Sequence, residues 1–245
     1  MFDPSSPEEA YKMIGEAFEY SEKYNTPVLF RPTTRVCHAY ASIDNCDSPS
    51  PKKYEGFVKD SKKWVIFPRL SFANHIMIEK RNVEIGKDFS TYSANKAEGV
   101  NSEKAVVTSG ISYAYTKECL KDYPDVKLIK IATAYPFPED FVLSSLEGAK
   151  EVLCIEELSP FIEEQILKLT GKHGLQLKVS GKLDGKVQAG GENSTDKIAA
   201  ILGEFLGKDF TAEGYDLSDA PALPVRPPVL LSLIHISEPT RHLRI

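Results

Sequence analysis

The sequence predicts an α/β fold built around a parallel sheet, and two observations support this class. From Lys104 onward four short apolar runs recur, AVVTSG, VKLIKIA, EVLCIEE and LQLKVSG, with stretches of helical character between them. Strand, helix, strand at this spacing is typical of parallel strands joined by right-handed crossovers. The chain has 245 residues, 42% apolar and 27% charged, which is enough apolar content for a substantial buried core.

The first element is a helix with a clear start signal. Ser6 is the expected N-cap, Pro7 takes the first helical position and Glu9 lies three residues after the cap. The helix should end near Asn25. Its buried stripe is expected to consist of Tyr11, Ile14, Phe18 and Tyr20. The apolar run TPVLFR that follows indicates a buried strand of a parallel sheet.

A polar, proline-bearing stretch from Asp44 to Lys63 then predicts an exposed connection. After the apolar patch WVIFPRL, the pattern predicts an amphipathic helix over 71–89. The residues expected on its apolar face are Phe72, Ile76, Ile78 and Val83. In the regular region the helices are expected around 110–122, 138–147 and 160–172. A last helix, 194–207, carries the apolar residues Ile198, Ile201, Leu202 and Phe205.

The end of the sequence does not continue this pattern. The proline-rich stretch SDAPALPVRPPV indicates an extended linker. The stretch LSLIHISEPTR, residues 231–241, resembles the translation of a transposon adapter used in DNA library preparation. We therefore interpret 231–245 as a non-native tail and exclude it from fold reasoning.

Composition excludes several classes of function. The net charge of -5 argues against a nucleic-acid or membrane-surface partner, since binding polyphosphate requires a basic face. No apolar run approaches the roughly 20 residues of a membrane-spanning helix. The N-terminus MFDPSSPEEA lacks the features of a signal peptide, so a cytoplasmic location is expected. The four cysteines, Cys37, Cys46, Cys119 and Cys154, show no CxxC spacing, which disfavours a metal or iron–sulfur site within this chain.

The stretch LFRPTTRVCH, residues 29–38, is the main candidate site. Its polar residues, expected together at the carboxyl end of a parallel strand, are Arg31, Thr33, Thr34, Arg35 and His38. Two guanidinium groups beside hydroxyls can bind a carboxylate or phosphate, but they can equally form salt bridges at a domain interface. The residues alone leave both alternatives open.

A second candidate feature is the carboxylate pair Glu156 and Glu157 at the end of a predicted strand. Parallel α/β sheets bind ligands outside this edge. We expect one carboxylate to face the edge crevice and the other to cap the following helix, whose first turn favours negative charge. Gly110, alone after a strand, is not a phosphate-binding loop and indicates a turn. The histidines lack metal-ligand spacing, so no metal site is expected.

Several segments together resemble a known family. SPEEAYKMIGEAFEYSEKYNTPVLFRPTTRVCH resembles the end of the pyrimidine-binding domain in alpha subunits of indolepyruvate ferredoxin oxidoreductases, which are thiamine-diphosphate-dependent 2-oxoacid oxidoreductases. VVTSGISYAYTKECL, AYPFPED and VLCIEELSPFIEEQI resemble pieces of the following domain, which has the fold of the transketolase C-terminal domain. The resemblance covers about residues 3–230.

The resemblance implies a domain organisation. Residues 1–44 would be the C-terminal part of the pyrimidine-binding domain, 45–98 a connecting segment with a helix, and 99–212 the transketolase C-terminal-like domain. Residues 213–230 would be a linker to a missing diphosphate-binding domain, followed by the tail 231–245. The start of the pyrimidine domain, with its thiamine-activating glutamate, would also be missing.

The resemblance also implies a function for the complete enzyme. It would decarboxylate an aryl pyruvate such as indolepyruvate, using thiamine diphosphate and magnesium, pass electrons through iron–sulfur clusters to ferredoxin, and form acyl-coenzyme A. Its partners would be the missing domains, a beta subunit and ferredoxin. This fragment would bind none of the cofactors and be inactive alone, with 29–38 beside the active site and Arg35 as the expected anion contact. The alternatives are an alpha chain specific for another 2-oxoacid and a non-enzymatic α/β assembly module.

Overall fold

The computed structural model describes residues 1–44, 56–65, 67–100 and 102–210, which belong to one compact unit, Met1–Ala212. The predicted linker 213–230, the predicted tail 231–245 and much of the predicted exposed connection, including Cys46, lie outside the described residues.

The elements alternate regularly from the second strand onward, as the sequence predicts. The described helices are α1 (Pro7–Tyr24), α2 (Thr34–His38), α3 (Ser61–Trp64), α4 (Pro68–Ser90), α5 (Gly110–Cys119), α6 (Glu139–Ser145), α7 (Phe161–His173) and α8 (Thr195–Leu206). The described strands are β1 (Lys96–Glu98), β2 (Lys104–Thr108), β3 (Lys127–Lys130), β4 (Glu151–Ile155) and β5 (Lys178–Ser180).

These strands form one sheet in the order β1-β3-β2-β4-β5. The pairs β2–β3, β2–β4 and β4–β5 are parallel, and only the edge strand β1 runs antiparallel to its neighbour β3. The predicted α/β class with a parallel sheet is therefore confirmed. The edge strand β1 was not predicted, because its three residues, KAE, carry no apolar run.

Both faces of the sheet are covered, as the near-continuous apolar strands require. Successive side chains of a strand point to opposite faces, so Val106 and Val107 belong to different core clusters. One cluster receives buried side chains of α6 and α7: Val142, Ile162, Ile166 and Leu169. The other receives those of α5 and α8: Tyr113, Ile198, Leu202 and Phe205. The apolar face predicted for the last helix is thereby confirmed.

The first helix begins as predicted but buries a different face. The Ser6 side chain accepts a hydrogen bond from the Glu9 backbone N–H, and the helix ends at Asn25 in a left-handed conformation. The buried residues are Met13 and Ala17, with Tyr20 packed partly against the same cluster. Tyr11, Ile14 and Phe18 are exposed, so three of the four residues in the predicted stripe were wrong.

The same correction applies to α4. Its buried residues are Ile85 and Phe89 near its end, whereas the predicted apolar face is exposed: Phe72, Ile76, Ile78 and Val83. Its second half makes hydrogen bonds to the end of α1, where Tyr24 donates to Asp88 and Arg81 donates to the Tyr24 carbonyl. Burial depends on which neighbours are present, and the periodicity does not contain this information.

The predicted strand TPVLFR is reduced to a single parallel bridge between Phe2 and Phe30. Its hydrogen bonds run from the Phe2 N–H to the Leu29 carbonyl and from the Arg31 N–H to the Phe2 carbonyl. A parallel strand needs a long neighbour to form a ladder. Among the described residues the only neighbour is the short segment around Phe2, which explains the difference.

The N-terminal segment packs on the sheet through an aromatic cluster. Phe2 is fully buried and makes edge contacts with Tyr20, Phe89 and Tyr92, with ring centroids 5.4–5.6 Å apart. Asn95 lies behind this cluster and uses its whole amide: Oδ1 accepts from the Ala132 and Thr133 N–H groups, and Nδ2 donates to the Phe89 carbonyl and the Thr133 hydroxyl.

Candidate functional site at the carboxyl edge of the sheet

The candidate residues gather where β2 and β4 end. These strands are neighbours, and the chain leaves β2 toward β3 on one side and β4 toward β5 on the other. This makes their carboxyl ends the switch point of the sheet, which is the usual place for a ligand crevice in open α/β sheets. Ser109 and Gly110 follow β2, and Glu156 and Glu157 follow β4.

Glu156 caps α7. Its two carboxylate oxygens accept hydrogen bonds from the backbone N–H groups of Ile162 and Glu163, at 2.9 and 3.0 Å. These donors lie in the first turn of the helix, where N–H groups have no intrahelical partner and favour negative charge. Burial nevertheless raises the pKa of Glu156, and the two backbone donors oppose that rise.

Glu163 is a second buried carboxylate, which sequence reasoning missed. It is 1% exposed and accepts from the backbone N–H groups of Lys182 and Leu183, just after β5. Gly181 makes this possible, because a Cβ at that position would lie 2.6 Å from Glu163 Oε2. Glu163 therefore ties α7 to the loop after β5.

Glu157 contacts the loop before α8. Its Oε1 accepts from the Asn193 backbone N–H at 3.0 Å, and the buried Asn193 amide donates to the Ser112 hydroxyl at 2.9 Å. These contacts hold the loop before α8 over the ends of β2 and β4. Asn193 was not singled out from the sequence, where a lone Asn before a helix indicates only a turn or cap.

Arg31 pairs with Asp3. The Arg31 Nη2 lies 3.0 Å from Asp3 Oδ2; the arginine side chain is 44% exposed and the aspartate side chain 1% exposed. Burial raises the pKa of Asp3, while the neighbouring Arg31 opposes the rise. The Asp3 backbone N–H donates to the Ala132 carbonyl, so this pair joins the N-terminal segment to the carboxyl end of β3.

Arg35 pairs with a different carboxylate. Its Nε and Nη2 donate to Glu192 Oε2 at 3.1 and 2.8 Å, and both side chains are more than half exposed. Glu192 lies on the loop before α8, next to Asn193. Hydrogen bonding to Glu192 raises the pKa of Arg35 further, so its guanidinium stays charged.

The remaining predicted site residues, Thr33, Thr34 and His38, do not join the two arginines in one cluster. Thr33 is the N-cap residue of α2, and its enclosed hydroxyl forms no hydrogen bond among the residues that the structure describes. Thr34 and His38 are exposed, and Val36 is the buried residue of this one-turn helix. The two arginines thus bind separate carboxylates rather than one shared centre. Asp3 and Glu192, which hold them, carried no sequence signal.

The described ranges contain neither a metal-binding group nor a membrane-spanning helix. Within residues 1–44, 56–65, 67–100 and 102–210, no group of three or more His, Cys, Asp and Glu side chains could hold a metal ion. Over the same part of the chain, no helix has the length and apolar character needed to cross a bilayer.

No protein-family model matches the chain. Several curated protein sequences are similar to it. The indolepyruvate oxidoreductase subunit IorA of Methanothermobacter thermautotrophicus is 32% identical over 94% of this chain, and IorA of Thermococcus kodakarensis is 31% identical over 94%. IorA of Archaeoglobus fulgidus is 27% identical over 93%. The chain is similar to one segment of IorA.

This relationship concerns part of a longer protein. The chain spans 37% of the length of each of these IorA sequences. Among solved structures, a split-gene transketolase described as an inactive β4 tetramer aligns with 48% of this chain and 43% of its own, at 14% identity and a TM-score of 0.35. The mixed α/β fold rests on the sheet itself, whose five strands are parallel except at one edge.

Proposed function

We propose that the chain is part of the alpha subunit of a 2-oxoacid:ferredoxin oxidoreductase that oxidatively decarboxylates aryl pyruvates, with indolepyruvate as the expected substrate. The observation that carries this proposal is the similarity to IorA over almost the whole chain, at 27–32% identity in six relatives. The substrate is taken from the names of those relatives.

The complete enzyme would use thiamine diphosphate, magnesium and iron–sulfur clusters, with coenzyme A as acyl acceptor. Among the described residues, no group of three or more His, Cys, Asp and Glu side chains could hold magnesium or the metal of a cluster. We therefore assign the ligands of magnesium and of the clusters to other parts of the complete subunit or to its partners. A beta subunit and ferredoxin are the proposed partners.

Within that enzyme, we assign two roles to this chain. The sheet domain would be a scaffold, because its core is closed on both faces by α5 to α8. The segment 29–38 would lie beside the active site, at an interface with a domain outside this chain. Its charged residues and the carboxylate Glu157 occupy the edge of the sheet where ligands bind in this class of fold. The division into domains at 44 and 98 stays a prediction.

The proposal is tested by enzyme assay of the complete reading frame that contains this segment. The full-length subunit and its partner subunit would be purified together without oxygen and supplied with indolepyruvate, thiamine diphosphate, magnesium and coenzyme A. Substrate-dependent reduction of a viologen dye is the expected result, with none from the chain of 245 residues alone. A complete complex that oxidises no 2-oxoacid would contradict the proposal.

A further inference from the structure

We propose that Arg31, positioned by the buried carboxylate of Asp3, is the guanidinium of this cluster that contacts an incoming small carboxylate, and that Arg35 is instead a brace between α2 and the loop before α8. This inference rests on the proposed function for the identity of the ligand, a 2-oxoacid, but its geometry does not depend on it. It reverses the expectation that Arg35 makes the anion contact.

Asp3 is buried, and its backbone is fixed. Its side chain is 1% exposed, and its backbone N–H donates to the Ala132 carbonyl at 2.8 Å. The N–H of Ala132 is itself held by the buried amide of Asn95 at 2.7 Å. The carboxylate lies close to Gly110, and its Oδ1 has no hydrogen-bond partner among the described residues, so Arg31 is the cation that it holds.

Asp3 binds only one nitrogen of the Arg31 guanidinium. The Arg31 backbone is fixed by the hydrogen bond of its N–H to the Phe2 carbonyl at 2.9 Å. Its guanidinium makes one hydrogen bond within the described part of the chain, from Nη2 to Asp3. Its Nε and Nη1 donate no hydrogen bond to the described residues, and the side chain as a whole is 44% exposed. An arginine held at one nitrogen loses less conformational freedom when it binds a carboxylate.

Arg35 differs from Arg31 in how much of its guanidinium is occupied. The two nitrogens that form one edge of its planar fork, Nε and Nη2, are both bound to Glu192. An incoming carboxylate would have to displace Glu192 from this edge before it could bind there with two hydrogen bonds. This competition disfavours anion binding at Arg35.

The experiment measures binding of phenylpyruvate to the purified chain by NMR, following the side-chain Nε–H signals of its arginines. The expected result is a saturable shift of the Arg31 signal. Arg31→Gln should weaken binding at least tenfold, whereas Arg35→Gln, the matched control, should change it less than threefold. Arg31→Lys keeps the charge but loses the planar guanidinium. Its affinity for phenylpyruvate should therefore lie between those of Arg31→Gln and Arg35→Gln. Melting temperatures of all variants confirm that each is folded.

The positioning role of Asp3 has its own readout. Asp3→Asn keeps the shape of the side chain and removes its charge, so it should weaken phenylpyruvate binding several-fold and broaden the Arg31 Nε–H signal. A merely structural role would lower the melting temperature and leave that affinity unchanged in the folded protein.

Three results would overturn the inference: no saturable binding, binding lost in Arg35→Gln but kept in Arg31→Gln, or equal loss in both. These outcomes are separate from those of the proposed function. If the complete enzyme turns over a 2-oxoacid but phenylpyruvate shifts the Arg35 Nε–H signal instead of the Arg31 signal, only the inference about Arg31 is wrong. If phenylpyruvate shifts the Arg31 Nε–H signal but the complete enzyme turns over no 2-oxoacid, only the proposed function is wrong.

Discussion

At the residue scale, two buried carboxylates are held by backbone N–H groups. Glu156 takes two donors from the start of α7, and Glu163 takes donors from the loop after β5. Hydrogen bonds to a charged acceptor are stronger than those between neutral groups, and a buried carboxylate without them is costly. Each carboxylate therefore fixes the position of a chain segment at the carboxyl edge of the sheet.

Gly181→Ala tests the tie made by Glu163. The new Cβ would lie 2.6 Å from Glu163 Oε2, so the carboxylate must move away from the Lys182 and Leu183 N–H groups. We expect the free energy of unfolding to fall by about 1–3 kcal/mol, as for other overpacked interiors. Gly171→Ala on α7 is the matched control: its Cβ meets open space, and helix propensity should stabilise it by about 0.5–1 kcal/mol. Denaturant titration measures both, and equal effects would contradict the assignment.

Glu156→Gln tests the pH dependence. Burial raises the pKa of Glu156 above its usual 4.5, so the folded state binds this proton more tightly than the unfolded state. The contribution of Glu156 to stability is then fully present below pH 4.5 and is lost as pH rises through the folded pKa. The difference in unfolding free energy, wild type minus variant, should fall over that range.

Glu164→Gln is the control for the loss of one charge, because it removes an exposed carboxylate from α7, the helix that Glu156 caps. A wild-type advantage that grows with pH would show that the backbone donors outweigh burial at Glu156, and that the sign is wrong.

The sequence located part of this site. The strand-end pair Glu156 and Glu157 and the arginines were identifiable because charged residues directly follow apolar runs. The residues that hold them, Asp3 and Glu192, were not identifiable, because each pairs with a residue far away in the chain. Single-sequence patterns report local periodicity, and they carry no information on which distant charge faces which.

At the scale of elements, α1 shows why the parallel region was easier to predict than the N-terminal region. Its apolar residues can be grouped into two faces, one with Ile14 and Phe18 and one with Met13 and Ala17. Periodicity favoured the larger side chains, but the described fold buries the second face. The strands β2 to β4, in contrast, are buried on both faces, so their apolar runs predict them whichever neighbour they have.

Met13→Ala and Ile14→Ala distinguish the two faces of α1. Met13 is 1% exposed and Ile14 is 41% exposed. We expect Met13→Ala to lower the free energy of unfolding by about 2–5 kcal/mol, since it leaves a cavity in the core. Ile14→Ala should change it by no more than about 0.5 kcal/mol. Thermal and denaturant unfolding of the two variants measure this difference, and a larger loss from Ile14→Ala would restore the original assignment of the buried face.

At the scale of the whole molecule, the N-terminal segment is tied to the sheet at several separate points. Phe2 fills an aromatic cluster, Arg35 pairs with Glu192, and the nearly buried Lys130 of β3 pairs with Glu9 of α1. The residues that the structure describes fall into one compact unit by their contacts. This arrangement favours a segment that stays bound to the sheet domain even when the connection between them is cut.

Limited proteolysis tests this attachment. Residues 56–65 are exposed wherever they are described and contain Lys59, Lys62 and Lys63, so trypsin should cleave there first. We expect the two products to elute together in gel filtration because the aromatic cluster and the ion pairs remain intact. Separation of a stable fragment near 99–212 from the N-terminal piece would show instead that the sheet domain is independent, as the domain boundaries drawn from the sequence imply.

The most direct test of the central claim is the substrate profile of the complete enzyme that contains this segment. Viologen reduction would be measured with indolepyruvate, phenylpyruvate, pyruvate and 2-oxoglutarate, each with thiamine diphosphate, magnesium and coenzyme A. We expect the highest kcat/KM for the two aryl pyruvates, and we expect 2-oxoacid-dependent reduction to require the partner subunit. Reduction with none of the four substrates by a folded, cofactor-loaded complex would contradict it and would favour a non-enzymatic assembly role for this chain.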